Sequence, residues 1–304
     1  MTATDTAPSS SSTATTSTSP VATVGAGSVY AAVEVRPRSR FGVGLFVGPL
    51  IGLAFFVGIW YAMHYWVLEQ VLDKPRFLVP APHRVIRESF LESLPREQMI
   101  TALGWTTLVA LLGLTVSIVL GMALAVVMAQ AKPLEQAFWP YLIAAQAVPI
   151  LAIVPIIGVV LGFGFWSRIL VCVIISFFPI VSNTLFGLLG AERSQHDLFT
   201  LQGASRWTRL VKLQLPGALP AIFTGFRIAA GLSVIGAVVG ELFFRKGGKG
   251  IGILMDQYRS RTMYPQTYGA LLLSSVLGIA VLVVFGWLSK LVVGRWHEQT
   301  RQGA

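Results

Sequence analysis

Charged side chains are scarce in this chain of 304 residues: Asp, Glu, Lys and Arg together make up 12%, about half the share usual in a globular domain. Hydrophobic residues make up 54%, and mean hydropathy is +0.71. Too few polar groups remain to coat a water-soluble particle of this size, so the expected solvent is lipid. Cysteine is nearly absent. The single Cys172 stands in an apolar run, which rules out a disulfide within the chain and leaves no thiolate spacing for a metal. His64, His83, His196 and His297 are scattered, and none is followed by a ligand-type residue three or four positions on, so no metal site is expected. A phosphate-cradling G-x-x-x-x-G-K-[ST] loop is also missing. Gly248-Lys249 is followed by Gly250, and the chain is expected to bind no nucleotide or other cofactor itself. Acids are outnumbered, 13 against 23 bases, for a formal net charge of +10. That excess is spread between apolar runs rather than gathered on a soluble face. It suits anionic lipid head groups or a cytoplasmic protein partner, and nucleic acid is not expected as a partner.

Residues 1–35 are expected to form a disordered tail. Thr2 to Pro20 consist of Ser, Thr, Ala and Pro with one acid, Asp5, and cannot bury enough apolar area to offset chain entropy. The segment has neither the basic start nor the apolar centre of a signal peptide. A plain solvated extension and a regulatory or partner-binding tail both remain open. Arg36, Arg38 and Arg40 then stand like a basic anchor before the first apolar run. A bilayer core of about 30 Å needs about 20 apolar residues in a helix. Six stretches qualify: about 41–67, 100–129, 138–163, 169–189, 221–244 and 268–293. Backbone amides in lipid need partners within their own segment, so these are helices and the fold class is an all-α membrane protein. Residues 36–295 form its transmembrane domain, and 296–304 a short tail.

Pro149 and Pro155 in the third span and Pro179 in the fourth should bend their helices. Gly236 and Gly240 form a GxxxG spacing that serves either packing within the chain or a seam between two copies. In the connector over 68–99, Ile86, Phe90 and Leu94 share a helical spacing suited to the membrane interface. The connector over 245–267 is basic and glycine-rich. Six spans place both termini on one side of the membrane. The basic residues divide eleven against eleven between the two sides, with Arg227 left inside a span, so charge does not orient the chain.

The most informative stretch joins spans four and five. Leu198 and Leu201 precede Gly203; Trp207, Leu210, Val211 and Leu215 follow it on one helical stripe, with Arg206, Arg209 and Lys212 elsewhere. Two short amphipathic helices turning at Gly203 account for this pattern, because glycine adopts the positive φ such a turn requires. Pro216 and Pro220 should end the second helix before span five begins. The product is a helical knob with apolar and basic faces, fit to dock in another protein's groove or to lie on lipid.

Gly203, nine further residues and then Leu213-Gln-Leu-Pro216 resemble the "EAA loop" of ABC-importer permeases, whose pattern is roughly E-A-A-x3-G-x9-I-x-L-P. Gln146-Ala-Val-Pro149 through Pro155 to Gly164 is similar to the third-span segment of that family, and Phe77-Leu-Val-Pro80-Ala-Pro82 to the segment after its first span. Asp197-Leu-Phe stands where Glu-Ala-Ala is usual. The resemblance implies the six-span fold of type I ABC-importer permeases in the cytoplasmic membrane, with both termini cytoplasmic. It implies a second permease copy, two cytoplasmic ATPase subunits that use ATP and Mg, and an extracytoplasmic substrate-binding protein. It assigns ATPase coupling to Asp197 and Leu201, to the turn Gln202, Gly203, Ala204 and Ser205, to Arg206 and Trp207, and to Leu213, Leu215 and Pro216. The stretch Gly231 to Glu241 most resembles permeases for thiamine-precursor pyrimidines and riboflavin, and less closely those for sulfonates, taurine and nitrate.

Span five also carries two ionisable residues. Arg227 lies seven residues, about 10 Å, beyond Pro220; snorkelling to the near face and a cavity role both remain open. Glu241 lies about 21 Å further along. It stands four residues before Arg245, a spacing for an ion pair at the helix end, and a gate or substrate contact is the alternative. Arg227, Glu241, Pro149 and Pro155 are the candidate pathway residues. A self-sufficient secondary transporter would show inverted repeats and several ionisable groups at the midplane, and a membrane enzyme would show clustered His, Asp or Glu. Neither pattern is present.

Overall fold

A computed structural model describes residues 44–246 and 248–301. The expected tail over 1–35, the basic anchor Arg36, Arg38 and Arg40, the first residues of span one and the last three residues of the chain lie outside these. The chain divides into two compact units, residues 1–51 and 52–304. In the first, residues 44–51 are helical and belong to α1 (Gly44–Ala62). The second contains the remainder of α1, a π-helical stretch Met63–Val71, α2 (Pro82–Ile86), α3 (Ser93–Gln130), α4 (Lys132–Ala147), α5 (Ile150–Leu161) and α6 (Phe165–Leu189). After these come α7 (Arg193–Leu201), α8 (Arg206–Arg209), α9 (Leu215–Phe243), α10 (Ile251–Ser260) and α11 (Tyr264–Arg301). No strand occurs among the described residues. Five helical stretches are long and apolar enough to cross a bilayer: Val47–Val71, Ser93–Gln130, Phe165–Leu189, Arg206–Phe243 and Tyr264–Gly294. The bent pair α4 and α5 makes a sixth.

The centre of the second unit is the trio α3, α6 and α9. Val109 and Ala110, Ile169 and Cys172, and Val234 and Ala237 form one buried cluster across the three. Lipid tails are as apolar as these side chains, so close packing rather than expulsion from water holds the helices together. Small residues make that closeness possible. A Cβ on Gly236 would stand 2.8 Å from the Cys172 Cα, and one on Gly240 3.1 Å from the Arg168 Cα. The GxxxG spacing therefore packs α9 on α6 within the chain. Ser117 and Ser176 add a buried hydroxyl pair at 2.8 Å between α3 and α6. Outward, α11 shows Val276, Ile279, Val283 and Trp287. Such a surface would be a liability in water and is what hydrocarbon solvates.

The third span departs from the expected bent helix. Pro149 does not kink one continuous helix but separates two, α4 and α5, at 96°. Val148, disfavoured from helical geometry by the following proline, is extended at φ −73°, ψ 126°, and Pro149 follows at ψ 111°. Pro155 and Pro179 sit inside unbroken helices. In the first long connector Phe90 packs against the cluster of Met99 and Ala102, whereas Ile86 and Leu94 are exposed and Val85 and Ser89 are buried. A π turn over Arg87–Leu91 adds a residue there and shifts the register. The connector over 245–267 contains α10, whose Ile251, Leu254 and Tyr258 are buried against Met99 and Ala102 of α3.

Candidate functional site

The knob between α6 and α9 begins with α7. Its C-terminal turn reverses through two hydrogen bonds: Gly203 N donates to Thr200 O at 3.0 Å and Ala204 N to Phe199 O at 3.0 Å. This pairing closes a helix only when the residue after the cap is left-handed, and Gly203 has φ +65°. Ser205 then caps α8, its Oγ accepting from Thr208 N at 3.2 Å. Arg209 Nη2 donates to Thr200 Oγ1 at 3.0 Å and ties the two short helices together.

The expected stripe splits in two. Leu210 is buried with Leu188, Ala218 and Ile222, and Leu215 packs against that cluster. Trp207 is 69% exposed, Leu198 59% and Leu201 85%. Asp197, Gln202, Ser205 and Arg206 are exposed beside them, whereas Ala204, Leu213 and Pro216 are partly covered. One face therefore roots the knob on α6 and α9, and the other offers an aromatic, two leucines and basic groups with nothing packed on them among the described residues. Pro216 and Pro220 do not end the second helix. Helical structure runs unbroken from Arg206 to Phe243. A π turn over Leu210–Gln214, in which Leu215 N reaches back to Leu210 O, widens the helix just before Pro216 and accommodates the residue that lacks an amide. From Arg206 on the knob is thus continuous with span five, and α7 is held to it through the turn at Gly203 and the Arg209–Thr200 hydrogen bond.

At the opposite end of α9, 26 residues or about 39 Å from Leu215, Glu241 is fully buried. Its Oε2 accepts from Thr106 Oγ1 at 2.9 Å and from Gly252 N at 2.9 Å, and Thr106 Oγ1 accepts from Ile251 N at 2.8 Å. Oε1 has no hydrogen-bond partner among the described residues. The expected ion pair with Arg245 does not form. α9 stops at Phe243, Phe244 leaves helical geometry at ψ 85°, and Arg245 turns to Asp256 at 2.7 Å. Arg259 takes the other Asp256 oxygen at 2.8 Å. Arg168, which falls between the apolar runs 138–163 and 169–189, is 1% exposed and donates from Nε to Phe244 O at 2.8 Å and from Nη2 to Lys246 O at 3.3 Å. A carboxylate and a guanidinium on different spans thus both grip the backbone that leads into α10. Glycine allows this close approach: a Cβ on Gly250 would overlap the Glu241 carboxylate and one on Gly248 the Arg168 guanidinium, so either side chain would have to move off the backbone it grips. Arg227, Pro149 and Pro155 are exposed, and none hydrogen-bonds or ion-pairs with Glu241 among the described residues. The side chain of Arg227 lies beside Gly286 of α11. Arg168, Thr106 and Asp256 gave no signal in the sequence, since each acquires its role from a neighbour remote in the chain.

Helical spans, a broken third span and a basic helical knob rooted on span five define an all-α membrane-spanning protein with one exposed helical projection. The chain belongs to the family of binding-protein-dependent transport system inner membrane components, whose model matches residues 117–298. It is 32% identical over 214 residues to the formylaminopyrimidine transport permease protein ThiX of Halalkalibacterium halodurans, covering 70% of this chain and 84% of that protein. It is 32% identical over 265 residues to the riboflavin transport system permease protein RibX of Chloroflexus aurantiacus, covering 87% and 96%. The taurine transport system permease protein TauC of Escherichia coli is 28% identical over 246 residues, covering 79% and 83%. The protein is a multi-pass ABC-transporter permease.

Proposed function

We propose that this chain forms the translocation pathway of an ATP-driven importer and is driven through the knob over residues 197–216. In this reading a cytoplasmic ATPase subunit, which uses ATP and Mg, receives the knob in a groove, and an extracytoplasmic binding protein delivers the solute to the opposite face. The chain pairs with a second copy, and both termini and the knob lie on the cytoplasmic side. The observation that carries the proposal is the uncovered face of Leu198, Leu201 and Trp207 on a knob whose second half, from Arg206 on, runs unbroken into span five. An exposed aromatic flanked by arginine is the composition of a protein-binding hot spot. Continuity makes displacement of the knob a displacement of α9, which is what a power stroke needs.

Glu241 acts at the far end of α9 by holding α10, and Arg227, Pro149 and Pro155 lie along the moving surfaces. The names of ThiX, RibX and TauC suggest a small organic solute such as a formylaminopyrimidine, riboflavin or taurine. The test is uptake of these three solutes by vesicles containing the permease together with an ABC ATPase and a substrate-binding protein from the same organism. ATP-dependent accumulation of one of them that requires all three components is the expected result. Accumulation by the permease alone, driven by an ion gradient, would overturn the proposal.

A further inference from the structure

Between the start of α3 and the segment Gly248–Gln257 lies a cleft of about 410 Å³, within the size range of small-molecule sites. Glu97, Gln98 and Thr101 line it from α3, and Lys249 and Gln257 from the other side. Ala102 and Leu254 form an apolar part of the lining, and both are buried.

Three observations give this cleft chemical character. The buried Tyr258 donates its hydroxyl to Gln98 Oε1 at 2.9 Å, which fixes the amide and leaves its NH2 group as a donor. Glu97 and Lys249 come from different elements and form no ion pair among the described residues, so a carboxylate and an ammonium are both available to a guest. The Gly250 wall is held from behind, since Ile251 N and Gly252 N are bound to Thr106 and Glu241. A wall fixed in this way is preorganised, and a guest does not spend binding energy ordering it.

We propose that this cleft binds the transported solute on the side of the membrane opposite the knob. It takes a small polar molecule with an anionic or hydrogen-bond-accepting end and a cationic or donating end. The inference rests on the permease reading above and adds to it a place and a chemical class. Lys249 and the Gln98 amide receive the accepting end, Glu97 the donating end, and Ala102 and Leu254 the carbon skeleton.

The test uses the whole permease in vesicles. Cys172 is buried, so Thr101→Cys supplies a single reactive thiol, and its reaction with a membrane-impermeant maleimide is timed. Taurine and formylaminopyrimidine are the probes, and tetraphenylphosphonium, an apolar cation without an accepting end, is the control. Labelling slows by the factor 1 + [L]/Kd, about fivefold at four times the dissociation constant. The expected result is labelling from the side opposite the knob, slowed by taurine or formylaminopyrimidine and not by the control, with protection lost in both Lys249→Gln and Glu97→Gln. Equal rates with and without both probes, protection that survives both substitutions, or labelling only from the knob side would overturn it. Crosslinking of the knob to an ATPase reads the permease proposal separately, so an unprotected cleft in a permease that binds its ATPase sinks this inference alone.

Discussion

Substitution of Gly203 tests the knob at its turn. A Cβ at this position meets nothing within 4 Å, so added bulk costs no steric clash. The cost comes from the backbone alone: at φ +65° an L-residue loses about 1–2 kcal/mol relative to glycine. That amounts to about a 5–30-fold shift against the native turn. Asparagine tolerates this conformation better than alanine, and a β-branched residue tolerates it least. The expected order of damage to ATP-driven uptake is therefore Gly203→Asn, then Gly203→Ala, then Gly203→Val, with membrane insertion unchanged throughout. Uptake is measured in vesicles and insertion by protease protection of the spans. If Gly203→Val transports like the parent, or Gly203→Asn fails as badly as Gly203→Val, the left-handed turn is not what shapes the coupling surface.

Glu241→Ala leaves the Gly252 N–H without its acceptor and takes one of two acceptors from the Thr106 hydroxyl; a buried donor left unsatisfied costs about 1–3 kcal/mol, and a thermal aggregation assay in detergent should show that loss. Glu241→Gln keeps an acceptor and should lose less, altering transport while the ATPase still co-purifies. Gly250→Ala drives a methyl group into the same carboxylate and should mimic Glu241→Ala in the aggregation assay. Gly236→Leu should separate α9 from α6 and leave little folded protein, whereas Leu at Gly58, where a Cβ meets nothing within 4 Å, should be tolerated. Pro149→Ala restores the missing amide and should reduce the 96° bend between α4 and α5, read as a longer distance between spin labels placed near their outer ends.

Much of the fold is legible in the chain because the bilayer leaves few choices. Runs of about 20 apolar residues are forced into helices, and the turn at Gly203 is fixed by a conformation that favours glycine. Prolines are harder to read. Pro149 broke its helix, Pro155 and Pro179 were absorbed, and Pro216 was accommodated by a π turn. One residue type thus meets three outcomes, which the local sequence alone does not distinguish. Glu241 and Arg245 illustrate the same limit: their i,i+4 spacing is meaningful only if the helix continues, and α9 ends between them at Phe243. Arg168 looked like a loop residue because the apolar run begins after it; α6 begins before it, at Phe165, and the body of the protein closes over the side chain.

The central claim is that a separate motor protein drives this permease through the knob. Single cysteines at Leu198, Leu201 and Trp207, whose side chains stand free, and at Leu210, which is buried, place a photoactivatable thiol crosslinker along both faces. In membranes containing the ATPase, the three exposed positions should capture that subunit, in yields that change with ATP, and Leu210 should not. Crosslinks from all three exposed positions to phospholipid alone, with no ATPase captured in any nucleotide state, would contradict the account.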